Sequence, residues 1–152
     1  AIERTLEVSP GFLPARYFLG QVYLQEHKLA ESLTELGAVA TLSPGDDMTQ
    51  AVLGYAYALA GRKRDAQEVL AALKEQSRKR YVSAYLIALV CTRLGKKGEA
   101  FEWLEEAYKQ RDCELPWIGV EPLFDPLRSD SRFHEFVGRI NLPSQKPVPS
   151  VN

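Results

Sequence analysis

Apolar residues along most of this 152-residue chain recur three and four positions apart, which places them on one face of an α-helix. Gly61 and Gly95 interrupt this pattern, and glycine often ends a helix because it adopts a left-handed backbone without steric cost. The pattern and its interruptions predict three pairs of helices: Leu13–Glu26 with Leu29–Leu42, Asp47–Ala60 with Lys63–Gln76, and Tyr81–Leu94 with Lys97–Gln110.

The three predicted pairs share one residue pattern at a constant offset of 34 residues. Leu-Gly at positions 19–20 returns at 53–54, and Ile-Ala stands at 87–88. Small residues in the two helices of each pair predict a close crossing, since a larger side chain would push the helices apart. These residues are Gly20, Gly54 and Ala88 in the first helices, with Ser32, Ala66 and Ala100 in the second.

A unit of 34 residues with these recurring slots resembles the tetratricopeptide repeat (TPR). The resemblance implies an all-α fold, a right-handed TPR α-solenoid of αα-hairpin repeats with a C-terminal capping helix. It divides the chain into the end of a truncated preceding TPR (1–10), TPR 1 (11–46), TPR 2 (47–80), TPR 3 (81–114), a capping segment (115–142) and a disordered tail (143–152).

The first ten residues align with the end of a repeat, because residues 5–10 match residues 39–44 at the same offset. We therefore expect the chain to be the C-terminal part of a longer protein.

An aromatic-rich stretch with three prolines follows Asp112 and departs from the repeat. The end of a repeat array exposes an apolar face that needs a cover, so this stretch is the expected cap, with a helix at Ser131–Ile140 that Asp130 or Ser131 begins. Phe133 and Phe136 fit either a cap or a segment folded into the groove of the repeats, and we expect the cap.

Residues 124–133, Phe-Asp-Pro-Leu-Arg-Ser-Asp-Ser-Arg-Phe, resemble a segment that follows the last TPR in a family of bacterial multi-repeat proteins. In that family the repeats often lie downstream of a winged-helix, kinase or nucleotide cyclase domain. The resemblance implies the interaction or sensory part of a bacterial regulatory or scaffold protein.

Partners of TPR proteins bind the concave surface formed by the first helix of each pair. By this resemblance the partner-binding residues are uncharged and largely apolar or aromatic: Tyr17, Gln21, Leu24, Met48, Ala51, Tyr55, Ala58, Val82, Tyr85, Leu89 and Thr92. One interpretation is a groove for a peptide with apolar anchors, and the other is that these tyrosines only pack between neighbouring helices. The family's clamp for the C-terminal carboxylate of chaperones is not expected, because its slots (17, 21, 55, 82 and 86) hold no cation.

Composition narrows the function further. The net charge of −1 gives no overall attraction to nucleic acid, and no apolar run reaches the roughly 18 residues of a membrane span. Lys and Arg cluster at the turns inside the pairs (28, 62–64 and 96–97), which predicts either a basic edge for an acidic partner or ordinary solvated turns, the expected interpretation.

Residues that carry catalysis are not evident. His27 and His134 lack the spacing of metal ligands, and neither a phosphate-binding loop nor a nucleophile–base arrangement is present. Cys91 occupies a slot held by tyrosine in the other repeats, so we expect a buried, inert thiol in a reducing, cytoplasmic compartment. The chain is predicted to be no enzyme and to hold no metal or cofactor.

The predicted function is therefore protein–protein interaction through the concave groove. Two alternatives stay open. Exposed Phe12, Phe18 and Val22 would favour a homodimer. A closed pocket in the groove would instead favour a small-ligand sensory domain of a transcriptional regulator or kinase.

Overall fold

The computed structural model describes residues 11–141, and every regular element within them is helical. Six helices come first: α1 (Leu13–Gln25), α2 (Leu29–Leu42), α3 (Asp47–Leu59), α4 (Lys63–Ser77), α5 (Ala84–Arg93) and α6 (Lys97–Gln110). Two short 3₁₀ helices, Leu115–Trp117 and Pro122–Leu127, lead to α7 (Ser131–Asn141). The predicted all-α class is confirmed, whereas the predicted truncated repeat (1–10) and tail (143–152) lie outside the described residues.

Consecutive helices form three packed pairs, α1 with α2, α3 with α4 and α5 with α6. The pairs are also packed on each other, mainly through α3 against α5 and α2 against α3. One backbone hydrogen bond repeats in the turn of each pair, from the amide of Lys28 to the carbonyl of Tyr23, from Arg62 to Tyr57, and from Lys96 to Cys91. The offset of 34 in the sequence therefore corresponds to the same turn, built three times.

The residue before the amide donor of each of these bonds has a left-handed backbone conformation. Gly61 (φ 78°) and Gly95 (φ 76°) take it as predicted, and His27 takes it at φ 58° although it has a side chain. A non-glycine residue in this conformation costs about 1–2 kcal/mol, so the first turn carries a backbone strain that the other two avoid.

Helix α5 begins at Ala84, three residues later than the sequence predicted. The hydroxyls of Tyr81 and Ser83 both donate to the carboxylate of Asp112, at 3.4 and 2.5 Å. Arg80 also donates two hydrogen bonds to Asp47, at 2.6 and 2.7 Å. These contacts hold residues 80–83 outside the helix and link neighbouring pairs.

The carboxylate at the start of α3 pairs with a side chain. Asp46 stands at the N-cap position, but its carboxylate accepts from the Thr49 hydroxyl and from no backbone amide. Thr49 is fully buried, so this carboxylate satisfies a hydroxyl that would otherwise be unpaired in the interior.

Helix α7 covers the outer side of α6. Arg139 forms an ion pair with Glu105 at 2.5 Å, and Phe136 contacts Tyr108 edge-on with ring centroids 6.4 Å apart. Asp130 begins the helix, since its carboxylate accepts from the amide of Arg132 at 3.0 Å. The Arg132 side chain beside it also lowers the pKa of Asp130 to about 2.

In the first two pairs the helices cross where the first helix lacks a side chain. Ser32 donates to the carbonyl of Gly20 at 2.7 Å, and a Cβ on Gly20 would lie 2.7 Å from Leu36 Cγ. A Cβ on Gly54 would lie 2.8 Å from Val69 Cγ1. Contacts this short displace the neighbour, which makes glycine a packing requirement at both positions.

We expect Gly54→Ala to lower the free energy of unfolding by about 1–3 kcal/mol, because the branched Val69 side chain has little rotamer freedom with which to move aside. Urea denaturation followed by circular dichroism measures this. Gly37→Ala is the matched control: Gly37 lies within α2, where an added Cβ would meet no neighbouring element within 4 Å, so alanine should stabilise by about 0.5–1 kcal/mol. Equal effects of the two substitutions would contradict the close crossing.

Candidate functional site

The C-terminal part of the chain folds back over the face formed by the first helices. The 3₁₀ helix Pro122–Leu127 packs on α5, where the rings of Phe124 and Tyr85 meet edge-on with centroids 5.1 Å apart. Phe124 and Leu127 have no exposed surface. The sequence left open whether Phe133 and Phe136 belong to a cap or to a segment in the groove. Both lie in α7, which packs on α6, and the residues that lie on the face of the first helices are instead 122–127.

Arg128 fixes the shape of this segment. Its guanidinium donates to the carbonyls of Gly119 and Glu121, at 2.8 and 3.2 Å, and forms an ion pair with Asp125. Glu121 in turn accepts from the amide of Leu123 at 3.1 Å. The segment thus keeps a defined conformation without regular helix or strand bonding.

The predicted groove residues divide into an interior set and an accessible set. Seven are buried: Leu24, Ala51, Tyr55, Val82, Tyr85, Leu89 and Thr92. Four are half-buried: Tyr17, Gln21, Met48 and Ala58. Packing between helices, the second of the two interpretations, accounts for the buried set, whereas contact with a partner stays a prediction and can involve only the accessible set directly.

Carboxylates approach two tyrosines of this face. Burial raises the pKa of Tyr17 and that of Tyr85, and Glu121 and Glu114 raise both pKa values further. Burial also raises the pKa of Tyr55, but there the nearby guanidinium of Arg93 acts in the opposite direction. The face is therefore acidic beside Tyr17 and Tyr85 and carries a cation beside Tyr55.

A pocket of about 390 Å³ lies beside the folded-back segment. It is bounded by the ends of α1, α3 and α5 and by the prolines of the 3₁₀ helix. Its lining includes Leu24, Gln25, Tyr55, Leu59, Arg93 and Pro122.

Sequence reasoning missed Arg93, although the repeat contained a signal for it. Gln25, Leu59 and Arg93 are 34 residues apart, and all three line the pocket. Equivalent residues from the last turn of each first helix therefore form a row along the pocket. Of these three residues, only Arg93 is charged.

Two larger clefts, of about 660 and 610 Å³, lie on other sides of the helix pairs. Lys74 and Glu99 pair at 2.6 Å in the first, and Arg80 of the second pairs with Asp47 at 2.6 Å. Since the cations Lys74 and Arg80 already have carboxylate partners within the chain, these clefts offer an anionic ligand less than the pocket at Arg93 does.

One basic residue in each of the three turns meets a carboxylate of its own chain. Lys28 pairs with Glu26 and Arg62 with Asp65, both at 2.7 Å. Lys96 lies 3.8 Å from Glu99. This pairing is what ordinary solvated turns show, and it weakens the case for a basic edge that binds a partner.

Cys91 is buried, and burial together with Glu99 raises the pKa of its thiol to about 12. A thiol with so high a pKa is almost entirely protonated near neutral pH and is a poor nucleophile. Between residues 11 and 141 no three potential metal ligands are grouped together. None of the helices in that range has the length and apolar composition needed to cross a bilayer.

No family model, curated protein or solved structure matches this chain. The likeness to TPR proteins therefore rests on the residues of the repeat.

We expect Phe124→Ala to cost about 3–5 kcal/mol of unfolding free energy, since it removes a fully buried ring that contacts Tyr85. Trp117→Ala, in the preceding 3₁₀ helix, is the matched control: its side chain is 63% exposed, and its loss should cost less than about 0.5 kcal/mol. Chemical denaturation of both variants decides this. Similar costs would show that residues 122–127 do not cover the face in solution.

Stability should fall as pH rises above about 10, because the unfolded chain then releases tyrosine protons that the folded chain retains. Tyr85 is one such residue: burial raises its pKa, so the folded chain keeps this proton at a pH where the unfolded chain loses it. Tyr85→Phe removes one such proton and should make the decline less steep by up to about 1.4 kcal/mol per pH unit. Urea titrations between about pH 9 and pH 12 measure both slopes, and parallel curves for the two proteins would exclude a buried Tyr85 hydroxyl.

Proposed function

We propose that this chain is a TPR-type α-solenoid that binds a peptide segment of a partner protein on the face of α1, α3 and α5, without catalysis. In this proposal it serves as part of a larger bacterial regulatory protein. The observation that carries the proposal is that this face already holds a short, proline-containing segment of its own chain, residues 122–127.

The contacts of this segment are those expected of a bound peptide. Phe124 is an aromatic anchor buried against Tyr85, while Pro122 and Asp125 remain exposed. Burying one such ring contributes about 1.5–3 kcal/mol. Beside the segment, the face leaves a pocket of about 390 Å³ and the half-buried residues of α1 and α3 for a second segment.

The part of the face that the segment leaves accessible lies towards α1. Tyr17, Gln21, Met48 and Ala58 are half-buried and carry no formal charge. The Gln21 amide donates to the Tyr17 hydroxyl at 2.8 Å, which fixes the two side chains relative to each other. Pre-arranged amphipathic side chains of this kind suit an interface, because little conformational entropy is lost on binding.

Self-association is a second candidate. Phe12, Phe18 and Val22 are 49%, 55% and 39% exposed near the start of the described chain. Light scattering over a concentration series tests it, and a monomer at every concentration would eliminate it.

The proposed function is tested by selecting binders from a random peptide library. The selected peptides are then titrated against Tyr17→Ala/Gln21→Ala/Met48→Ala. We expect affinity to fall at least about tenfold, because the three side chains supply the accessible contact surface.

The control variant carries Gln67→Ala, Glu75→Ala and Gln76→Ala on the exposed side of α4. It should retain the wild-type affinity within about twofold. Peptides that lose binding only to the control variant would place recognition on α4, and a library without binders would count against the proposed function.

A further inference from the structure

Arg93 is a cation that the described chain leaves without a carboxylate. Its Nε atom is buried and has no hydrogen-bond partner, and no ion pair forms between Arg93 and any acidic residue in the range 11–141. A buried polar atom without a partner costs about 1–3 kcal/mol. The Nε atom itself is closed to solvent, but Arg93 also lines the pocket, so a ligand with an anionic group would supply the countercharge that the guanidinium lacks.

The surroundings of Arg93 favour a ligand that is anionic and also apolar. Leu24, Leu59 and Pro122 provide apolar walls. The Tyr55 hydroxyl lies beside the guanidinium: burial raises the pKa of Tyr55, while the charge of Arg93 and a hydrogen bond with it act in the opposite direction. Low-polarity walls strengthen an ionic contact, and the planar guanidinium matches a carboxylate with two parallel hydrogen bonds.

Asp125 also lines the pocket, but Arg128 engages its carboxylate through an ion pair. Its side chain is 61% exposed, so it lies towards the solvent side of the pocket. Glu121 lies nearby and accepts from the amide of Leu123. Both acidic groups that the folded-back segment brings near the pocket therefore have partners of their own.

We propose that the pocket beside Arg93 binds an acidic side chain, flanked by apolar residues, of a peptide that lies along the face of the first helices. The inference rests on the proposed function, since it names the residue that the peptide presents. A pocket of about 390 Å³ lies within the usual range for small-ligand sites and has room for a carboxylate side chain and part of its neighbours. Arg93 lies outside the slots considered for C-terminal carboxylates (17, 21, 55, 82 and 86).

The test uses two tripeptides of equal size, Ac-Leu-Glu-Leu-NH₂ and Ac-Leu-Gln-Leu-NH₂. The full chain is labelled with ¹⁵N-arginine, and the Nε–Hε signal of Arg93 is followed by NMR during titration to about 10 mM peptide, a range that covers weak binding. We expect the glutamate peptide to shift this signal saturably and to bind about tenfold more tightly than the glutamine peptide, as a charge-assisted hydrogen bond implies.

Arg93→Gln should remove this preference, and Arg64→Gln should leave it intact because the Arg64 side chain is 92% exposed on another helix. Circular dichroism confirms that each variant is folded. If Arg93→Gln does not fold, the Arg93 signal of the unmodified chain still decides the question. A third peptide, Ac-Leu-Leu with a free C-terminal carboxylate, separates the two sources of a carboxylate.

Equal binding of the glutamate and glutamine peptides would overturn the inference, and so would shifts confined to exposed arginines. Tighter binding of the free C-terminus would overturn the assignment to a side chain. If neither tripeptide binds while library peptides bind through Tyr17, Gln21 and Met48, the inference fails and the proposed function stands. If Arg93 responds to the glutamate peptide but the library yields no binders, the inference stands and the proposed function fails.

Discussion

The arrangement of the C-terminal half depends on one constraint: helix α5 is apolar on every side, and all of this surface has to be buried. Nine consecutive residues of this helix, from Ala84 to Thr92, are buried, whereas α1 buries only four residues. A helix that is apolar on every side needs a cover on every side. Helices α6, α3 and α4 cover three sides of α5, and the 3₁₀ helix Pro122–Leu127 covers the side that remains. The segment therefore buries the side of α5 that the other helices leave open.

The local pattern predicted what local forces determine. Helical spacing located six helices to within three residues at each end, and Gly61 and Gly95 located two turns, because spacing and backbone freedom act over a few residues. The late start of α5 was missed, since it depends on hydrogen bonds from Tyr81 and Ser83 to Asp112 about thirty residues away.

The path of residues 115–127 was predicted only as an open alternative. Its contacts join residues far apart in the chain, such as Tyr85 and Phe124, and its 3₁₀ turns have no long period from which to infer a direction. The composition of α5 contained the missing clue: a first helix without a polar side faces more than its own pair. The same reasoning applies to Arg93, whose slot is visible in the repeat but whose lack of a carboxylate is visible only in three dimensions.

The face of the first helices is covered by a segment of the same chain, and this limits how a partner can bind. A segment tethered to the same chain has an effective concentration in the millimolar range or above, so a free peptide at micromolar concentration competes poorly for the surface around Tyr85. Removing the segment would in addition expose Phe124 and Leu127, both without exposed surface in the structure. A partner therefore gains more by binding beside the segment than by replacing it. The surface beside it consists of the half-buried residues of α1 and α3 together with the Arg93 pocket, to which the segment itself contributes Pro122. On this account the folded-back segment forms one wall of the proposed site.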